Sequence, residues 1–142
     1  MSNHFAKICA FAAFTFAATT FAGERPPALT DALLDAIRFV ESGDRVNVPD
    51  GDRGRAIGPY QIWKVYYLDA CEYDPSLRAR GYEACRDEAF ARRVVIAYMS
   101  RYGRDKSAED LARIHNGGPK GHRKDATAEY WDKVEKRLNE RD

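Results

Sequence analysis

The sequence is poor in cysteine and histidine, and neither residue occurs at a spacing that holds a metal ion. Its three cysteines are Cys9, Cys71 and Cys85, with no CxxC pair among them. Of its three histidines, only His115 and His122 lie beyond the first 22 residues. A zinc site needs about four Cys, His or acidic ligands, mostly at close spacing. The sequence therefore predicts no metal site and no cofactor.

The chain also lacks an excess of charge of one sign. It carries 23 Lys and Arg residues against 22 Asp and Glu residues. Removal of residues 1–22 would take away Lys7 and no acid, and the net charge would become zero. Because nucleic-acid affinity comes from neutralising phosphates, this balance argues against a nucleic-acid partner. A local basic patch remains at Lys120, His122, Arg123 and Lys124.

Only one long apolar run is present, and it lies near the start of the sequence. Ile8 to Phe21 consists almost entirely of Ala, Phe, Thr and Cys. Small residues stand at Thr20 and Ala22, the two positions that a signal peptidase reads. The run is short for a membrane anchor, which is the alternative. The pattern predicts a signal peptide over residues 1–22, a domain over residues 23–142, a secreted or periplasmic location and no stable membrane association after cleavage.

Two cysteines, Cys71 and Cys85, remain beyond the predicted signal peptide. An even pair in an oxidising compartment predicts a disulfide. The bond would close a loop of about 15 residues and stabilise the fold by about 3 kcal/mol in the chain-entropy model. The alternative is two unpaired, buried thiols.

Apolar residues recur at helical spacing along most of the remaining chain. Thr30 suits the N-cap of a first helix that ends near Glu41-Ser42-Gly43. A very short hairpin is expected from Val46, Val48 and Ile57. Further helical patterns cover Tyr60 to Ala70, Arg86 to Tyr102, Ala108 to about Ile114, and a last segment that starts at Asp125 or Thr127. The predicted fold class is α+β, predominantly α, in one domain.

Glu41 lies at the end of the first predicted helix, and an acidic loop that contains glycine follows it. Cleavage of a glycosidic bond needs a proton donor at the leaving oxygen and negative charge near the oxocarbenium-like centre. The negative end of the helix dipole and cover from the aromatic second helix would both favour a protonated Glu41. Asp44 is too near, whereas Asp50 and Asp52 could fold back across a cleft. Asp52 is preferred because a flexible Arg53-Gly54 step follows it, although such acids also occur on solvated surfaces.

A second stretch, ARIHNGGPKG, places a His-Asn pair before two glycines in a predicted loop from His115 to Lys124. Backbone at glycine can approach a ligand closely, and a small number of placed polar groups orients a ligand in its pocket. The stretch suits a loop that binds a polyhydroxylated sugar. The alternative is a helix C-cap followed by a turn.

The segments ESG, GPYQI, AYMSRYG, ARIHNGGPKG and YWDKV follow one another between about Leu33 and Val134. In this order they strongly resemble the invertebrate-type (destabilase) lysozymes, with HNGGP-x-G and the downstream YW as the most specific part. ESG and GPYQI alone are shared with goose-type lysozymes and lytic transglycosylases. The resemblance implies a lysozyme-like fold with a minimal β-hairpin. It also implies hydrolysis of the β-1,4 bond between N-acetylmuramic acid and N-acetylglucosamine in peptidoglycan.

The resemblance carries over to particular residues of this sequence. It implies that Glu41 is the general acid and Asp52 the second carboxylate, with Asp50 as the alternative. The family has cysteines beside the acidic loop where this chain has Asp44 and Ile57, so the loop is not pinned covalently. The implied partners are peptidoglycan and proteinaceous lysozyme inhibitors. The positions that match the sugar cleft of the family or superfamily are Tyr60, Gln61, His115, Asn116 and Gly117.

Two other functions are compatible with these residues. A lytic transglycosylase would use Glu41 alone and would form an anhydro sugar, and the matched Asp52 favours hydrolysis instead. A wall-binding module without turnover would keep the fold. The co-occurrence of Glu41, Tyr60-Gln61 and His115-Asn116 argues against that module.

Overall fold

Helices dominate the fold of this chain, of which the computed structural model describes residues 24–43, 45 and 47–140. The predicted signal peptide lies outside the described residues. An antiparallel sheet of two short strands, β1 (Ala56–Ile57) and β2 (Ile62–Trp63), follows the first helix. The described helices are α1 (Asp31–Ser42), α2 (Lys64–Tyr73), α3 (Glu88–Tyr102), α4 (Ala108–Gly117) and α5 (Ala128–Asn139). The prediction of a predominantly helical α+β fold with a minimal hairpin is confirmed.

The first helix, α1, begins and ends where the sequence predicts. The Thr30 side chain accepts a hydrogen bond from the Leu33 backbone N–H at 3.1 Å and so caps the first turn. Gly43 ends the helix with φ +64°, a conformation that glycine adopts without steric cost. The Ser42 hydroxyl donates to the Pro59 carbonyl at 2.9 Å. The end of α1 is therefore fixed beside the turn of the hairpin.

The hairpin uses different residues from those predicted. β1 pairs with β2 in antiparallel register, with Ala56 opposite Trp63. Val48 lies outside both strands, and Val46 falls outside the described residues. The start of the predicted second helix instead forms the turn and β2, so α2 begins at Lys64.

The turn between the two strands explains this difference. Gly58 has φ +71° and Gln61 has φ +46°, values that do not occur in a right-handed helix. A Cβ on Gly58 would lie 1.9 Å from the Cys85 carbonyl oxygen, so the turn packs directly on the 3-10 helix Tyr82–Arg86. Tyr60 is buried in this turn, whereas Trp63 in β2 is 40% exposed, so the aromatic residues here do not form the single buried face of a helix.

The centre of the core is formed by α3. Phe90, Val94 and Tyr98 lie on one face, as the helical spacing predicts, and all three are buried. α2 packs along α3, while α5 packs on α1 and α4. The ends of α1 and α4 are thereby held close to the first turn of α5, where the candidate site lies.

Two kinds of feature are absent from the part of the chain that the structure describes. No three His, Cys, Asp or Glu side chains there come together as a set that could hold a metal ion. Nor does any helix in those ranges have the length and apolar character needed to cross a bilayer.

Cys71 and Cys85 are free thiols in the structure, so the predicted disulfide is not formed there. Both residues are fully buried. Burial, with a further contribution from Cys71, raises the pKa of the Cys85 thiol to about 12. An even count and an oxidising compartment do not determine whether two sulfurs bond, and a buried cysteine also packs well as a small apolar side chain.

We expect the folded protein to protect both thiols from a reagent such as DTNB. Both side chains are fully buried and so out of reach of the reagent, and the raised pKa of Cys85 further limits its reactive thiolate. Protein freed of residues 1–22, and so of Cys9, should react far more slowly when folded than when unfolded in guanidinium chloride. If the unfolded protein has no thiol that reacts with DTNB, Cys71 and Cys85 form the disulfide after all.

Candidate active site

Glu41 lies in the last turn of α1 and is held by side chains from two other helices. Its side chain is only 18% exposed. The Tyr130 hydroxyl of α5 donates a hydrogen bond to Glu41 Oε1 at 2.8 Å. His115 Nε2 of α4 lies 3.4 Å from the same oxygen. Three segments that are far apart in the sequence therefore converge on one carboxyl group.

His115 connects Glu41 to a buried pair of tyrosines. Its side chain is 4% exposed, and its Nδ1 lies 3.1 Å from the Tyr66 hydroxyl. The Tyr66 ring stacks on Tyr98 with the ring centroids 3.6 Å apart. Burial raises the pKa of Tyr66 well above its usual range, so the hydroxyl stays protonated at neutral pH. When this hydroxyl donates to Nδ1, the ring proton resides on Nε2 and faces Glu41.

Tyr130 also keeps its proton at neutral pH. Burial raises the pKa of its hydroxyl well above the usual range, and the neighbouring charge of Glu41 raises it further. The Tyr130 hydroxyl is thus a permanent donor to Glu41, whichever protonation state the carboxyl group has.

This cluster opens into a cleft with a volume of about 670 Å³ that is lined by both Glu41 and Asp52. Some of the other lining residues belong to the hairpin, α2 and α3, and the rest belong to the end of α4 and the segment that follows it. They are Ala56, Gln61, Trp63, Val65, Tyr66, Asp69, Tyr98, His115, Asn116, Gly117, Gly118, Pro119 and Lys124. The mixture of aromatic surface and a few polar groups suits a sugar chain.

The structure separates the two candidate partners of Glu41. Asp52 lines the cleft, has a side chain that is 39% exposed, and pairs with Arg55 through Oδ1 at 2.9 Å. Asp50 instead binds Arg86 through both carboxylate oxygens, one of them 3.0 Å from Nη2. The hydrogen bond from Arg86 lowers the pKa of Asp50, and Asp50 is not among the described residues that line the cleft.

The loop that carries Asp52 has an unusual backbone that Gln61 supports. Asp52 and Arg53 have φ of +46° and +58°, which is uncommon for residues other than glycine. The Gln61 side-chain amide donates to the Pro49 carbonyl at 3.3 Å. A Cβ on Gly51 would lie 2.0 Å from Gln61 Oε1. Gln61 lines the cleft, and it also packs against the loop that carries Asp52.

Tyr60, which the sequence predicts to bind the sugar, is not among the described residues that line the cleft. Its exposed fraction is 0%, and its hydroxyl accepts a hydrogen bond from Arg92 at 3.2 Å. The ring lies edge-on to His115, with centroids 6.5 Å apart. Tyr60 thus supports His115 from the core, because the turn around Gly58 directs its side chain inward.

The other predicted cleft residues do meet, although on a helix rather than on a loop. α4 continues to Gly117, so His115 and Asn116 lie in its last turn. Gly118 ends the helix with φ +84°, and its N–H donates to the Ile114 carbonyl. All three predicted residues of this segment line the cleft.

The contacts of Tyr66, Asp69, Lys124 and Tyr130 with the site were not predicted from the sequence. Tyr130 stands in the YWDKV segment, so the family resemblance marked its position without indicating its contact with Glu41. Tyr66 and Asp69 lie on α2, whose aromatic pattern predicted cover for Glu41 without indicating which side chains provide it. Lys124 appeared as part of an exposed basic patch. Their proximity to Glu41 or to the cleft depends on tertiary contacts that no local spacing encodes.

Comparison with known proteins assigns the family. The family model described as Destabilase matches residues 33–137. A lysozyme of Ostrea edulis is 37% identical over 114 residues, which cover 75% of this chain and 80% of that protein. Invertebrate-type lysozyme 6 of Caenorhabditis elegans is 31% identical, and the match covers 92% of this chain and 95% of that protein.

A solved structure agrees with these sequence matches. It is the lysozyme of Meretrix lusoria, crystallised in complex with the Aeromonas hydrophila protein PliI. The two chains are 32% identical, with a TM-score of 0.65 over 75% of this chain and 88% of the other. The chain belongs to the destabilase family of invertebrate-type lysozymes, and it is a lysozyme-type glycoside hydrolase.

Proposed function

We propose that this lysozyme hydrolyses the β-1,4 bond between N-acetylmuramic acid and N-acetylglucosamine in peptidoglycan, with Glu41 as general acid and Asp52 as second carboxylate. The observation that carries the proposal is that Glu41, shielded and hydrogen-bonded by Tyr130, lines the same cleft as the exposed Asp52. Two carboxyl groups in different environments are what glycoside hydrolysis requires.

The surroundings of Glu41 suit a group that first donates a proton and then carries a negative charge. The Glu41 side chain lies in the last turn of α1, is only 18% exposed and lines the cleft, so it can reach a bound glycosidic oxygen while most of its surface is shielded from water. The Tyr130 hydroxyl and the His115 ring lie at Oε1 and stabilise the carboxylate that forms after proton transfer. Both contacts use Oε1, so the proton to be transferred belongs on Oε2.

The chemical step follows from this arrangement. Glu41 Oε2 transfers its proton to the glycosidic oxygen, and the bond from that oxygen to C1 breaks, with its electron pair moving to the oxygen. Positive charge develops at C1 and the ring oxygen, where the Asp52 carboxylate stabilises it electrostatically. A water molecule then supplies the hydroxyl group at C1, and its proton returns to Glu41.

Analysis of digestion products tests hydrolysis against the transglycosylase reaction. Hydrolysis leaves a free reducing end on each new N-acetylmuramic acid residue, whereas a lytic transglycosylase leaves a 1,6-anhydro end. We expect mass spectrometry of digested peptidoglycan to show only reducing ends, which borohydride converts to alcohols. A majority of anhydro ends would assign the reaction to Glu41 alone.

Replacement of Tyr130 by Phe should lower kcat about tenfold, because a hydrogen bond to a charged group is lost. KM should change little, since Tyr130 contacts Glu41 but is not itself among the described residues that line the cleft. The matched control is Tyr67→Phe, which removes a hydroxyl that donates to the Leu77 carbonyl at 3.2 Å. An equal fall in kcat for both variants would indicate a general loss of packing.

Location and an inhibitor partner are further parts of the proposal. The apolar run at the start of the sequence supports export to a secreted or periplasmic location, and N-terminal sequencing of the exported protein should begin at Gly23. The Meretrix lusoria lysozyme binds PliI, and the similarity of the two chains supports inhibition of this lysozyme by a protein of the same kind. Titration of the activity with PliI tests this directly.

A further inference from the structure

We propose that Lys124 makes the cleft selective for muramyl sugars by binding a carboxylate on the branch at C3 of N-acetylmuramic acid. The inference rests on the proposed function, because it names a substrate feature that the same cleft recognises. A chain built only from N-acetylglucosamine has a hydroxyl group at C3 and offers no such carboxylate. Lys124 would therefore separate peptidoglycan from chitin-type chains.

The charge distribution in the cleft singles out Lys124. It is the one Lys or Arg among the described residues that line the cleft, whereas Glu41, Asp52 and Asp69 contribute acidic groups. Arg55 lies nearby, but its guanidinium already pairs with Asp52. An anionic branch would be repelled by the carboxylates of Asp52 and Asp69 and attracted by the ammonium group of Lys124. The position of the Lys124 ammonium group then restricts where the sugar that carries the branch can lie in the cleft.

The backbone at Lys124 is held in place by the residues around it. Its carbonyl accepts hydrogen bonds from the Thr127 hydroxyl at 2.8 Å and from Arg113 Nη2 at 3.1 Å. Its N–H donates to the Gly121 carbonyl at 3.0 Å. Thr127 is 3% exposed, so one of these contacts comes from the protein interior. The side chain therefore starts from a fixed point at the edge of the cleft.

The Lys124 ammonium group lies at the segment predicted to bind sugar. Its Nζ donates to the Gly117 carbonyl at 2.6 Å, next to Asn116 in the last turn of α4. An ammonium group has three N–H donors, so this bond leaves donors for a ligand. Because the group remains exposed to water, its contribution to affinity should be modest and sensitive to salt.

The carboxylate that binds Lys124 can come from either of two parts of the branch at C3. In glycan strands stripped of peptide, it is the free lactyl carboxyl group of N-acetylmuramic acid. In intact peptidoglycan, the lactyl group is amidated, and the carboxylates belong to the attached peptide. Chitohexaose carries neither and serves as the uncharged reference.

Binding to a catalytically inactive protein tests the proposal independently of turnover. In a Glu41→Gln background, we would measure the Kd for peptide-free glycan strands, for peptide-bearing glycan fragments and for chitohexaose, with and without Lys124→Met. We expect Lys124→Met to raise the Kd about fivefold for at least one carboxylate-bearing ligand and to leave chitohexaose unchanged. Lys124→Arg should retain the affinity, and 1 M salt should abolish the difference. The ligand that responds identifies the source of the carboxylate.

Lys120→Met is the matched control, because it removes the same charge from an exposed lysine outside the described lining of the cleft. The proposal is overturned if Lys124→Met raises the Kd for chitohexaose equally, or if it raises the Kd for neither carboxylate-bearing ligand. It is also overturned if Lys120→Met raises the Kd by the same factor. Failure of the proposed function would appear separately, as a protein with native Glu41 that releases no reducing ends from peptidoglycan.

Discussion

Replacement of Glu41 by Gln should lower kcat on peptidoglycan by about a thousandfold, the largest effect of any single change in this protein. Glutamine keeps the shape of the side chain and an oxygen that can accept the hydrogen bond from Tyr130. It has no acidic proton to transfer to the leaving oxygen. The rate of release of reducing ends measures the loss, and KM should remain within about threefold because the cleft is otherwise unchanged.

The control for this variant is Glu72→Gln, which alters an exposed glutamate of α2 that pairs with Arg78. Thermal unfolding should give nearly the same Tm for Glu72→Gln as for the original protein, since exposed ion pairs contribute little. The Tm of Glu41→Gln should also stay close, because the glutamine oxygen still accepts the hydrogen bond from Tyr130. Retention of more than a tenth of the activity by Glu41→Gln would show that another group donates the proton, and the proposed mechanism would then be rejected.

The second large effect is expected at Asp52. Asp52→Asn removes the negative charge that stabilises the oxocarbenium-like transition state, and kcat should fall about a hundredfold. Asp50→Asn should change kcat by less than about threefold, because Asp50 binds Arg86 and lies outside the described lining of the cleft. The comparison uses the same chemical change at two acids only two residues apart, so a general effect on the loop would affect both.

The outcome at these two positions also decides the reaction type. If Asp50→Asn and Asp52→Asn both leave kcat nearly unchanged, Glu41 alone suffices for the reaction. The anhydro product of a transglycosylase would then be expected. A larger loss for Asp50→Asn would assign the second carboxylate to Asp50 and would require the loop to rearrange when substrate binds, since Asp50 is occupied by Arg86 in the structure.

The helices were predictable from the sequence where local signals are strong. Thr30 caps α1 and Gly43 ends it because a hydroxyl oxygen and a glycine satisfy the helix ends through neighbours in the sequence. The spacing of Phe90, Val94 and Tyr98 likewise identified the buried face of α3. These features depend on residues within a few positions of one another.

The hairpin and the last turn of α4 were predicted less well. The aromatic segment at Tyr60 has helical spacing, but the packing of Gly58 on the Cys85 backbone makes a turn and a strand more favourable there. The glycines after His115 predicted an early end to α4. The helix nevertheless extends to Gly117, where the tight fit of its backbone against Thr127 requires the absence of a side chain.

The sequence by itself determined the family, the helical periodicity and the position of Glu41 at a helix end, because each is carried by residue type and local spacing. Only the tertiary structure decided that Tyr130 and His115 meet Glu41. It also decided that Asp52 lines the cleft while Asp50 binds Arg86. The burial of Tyr60 was likewise decided by packing. Those outcomes depend on contacts between segments up to 89 residues apart. Such contacts form only when the helices pack, and they cannot be derived from any one segment.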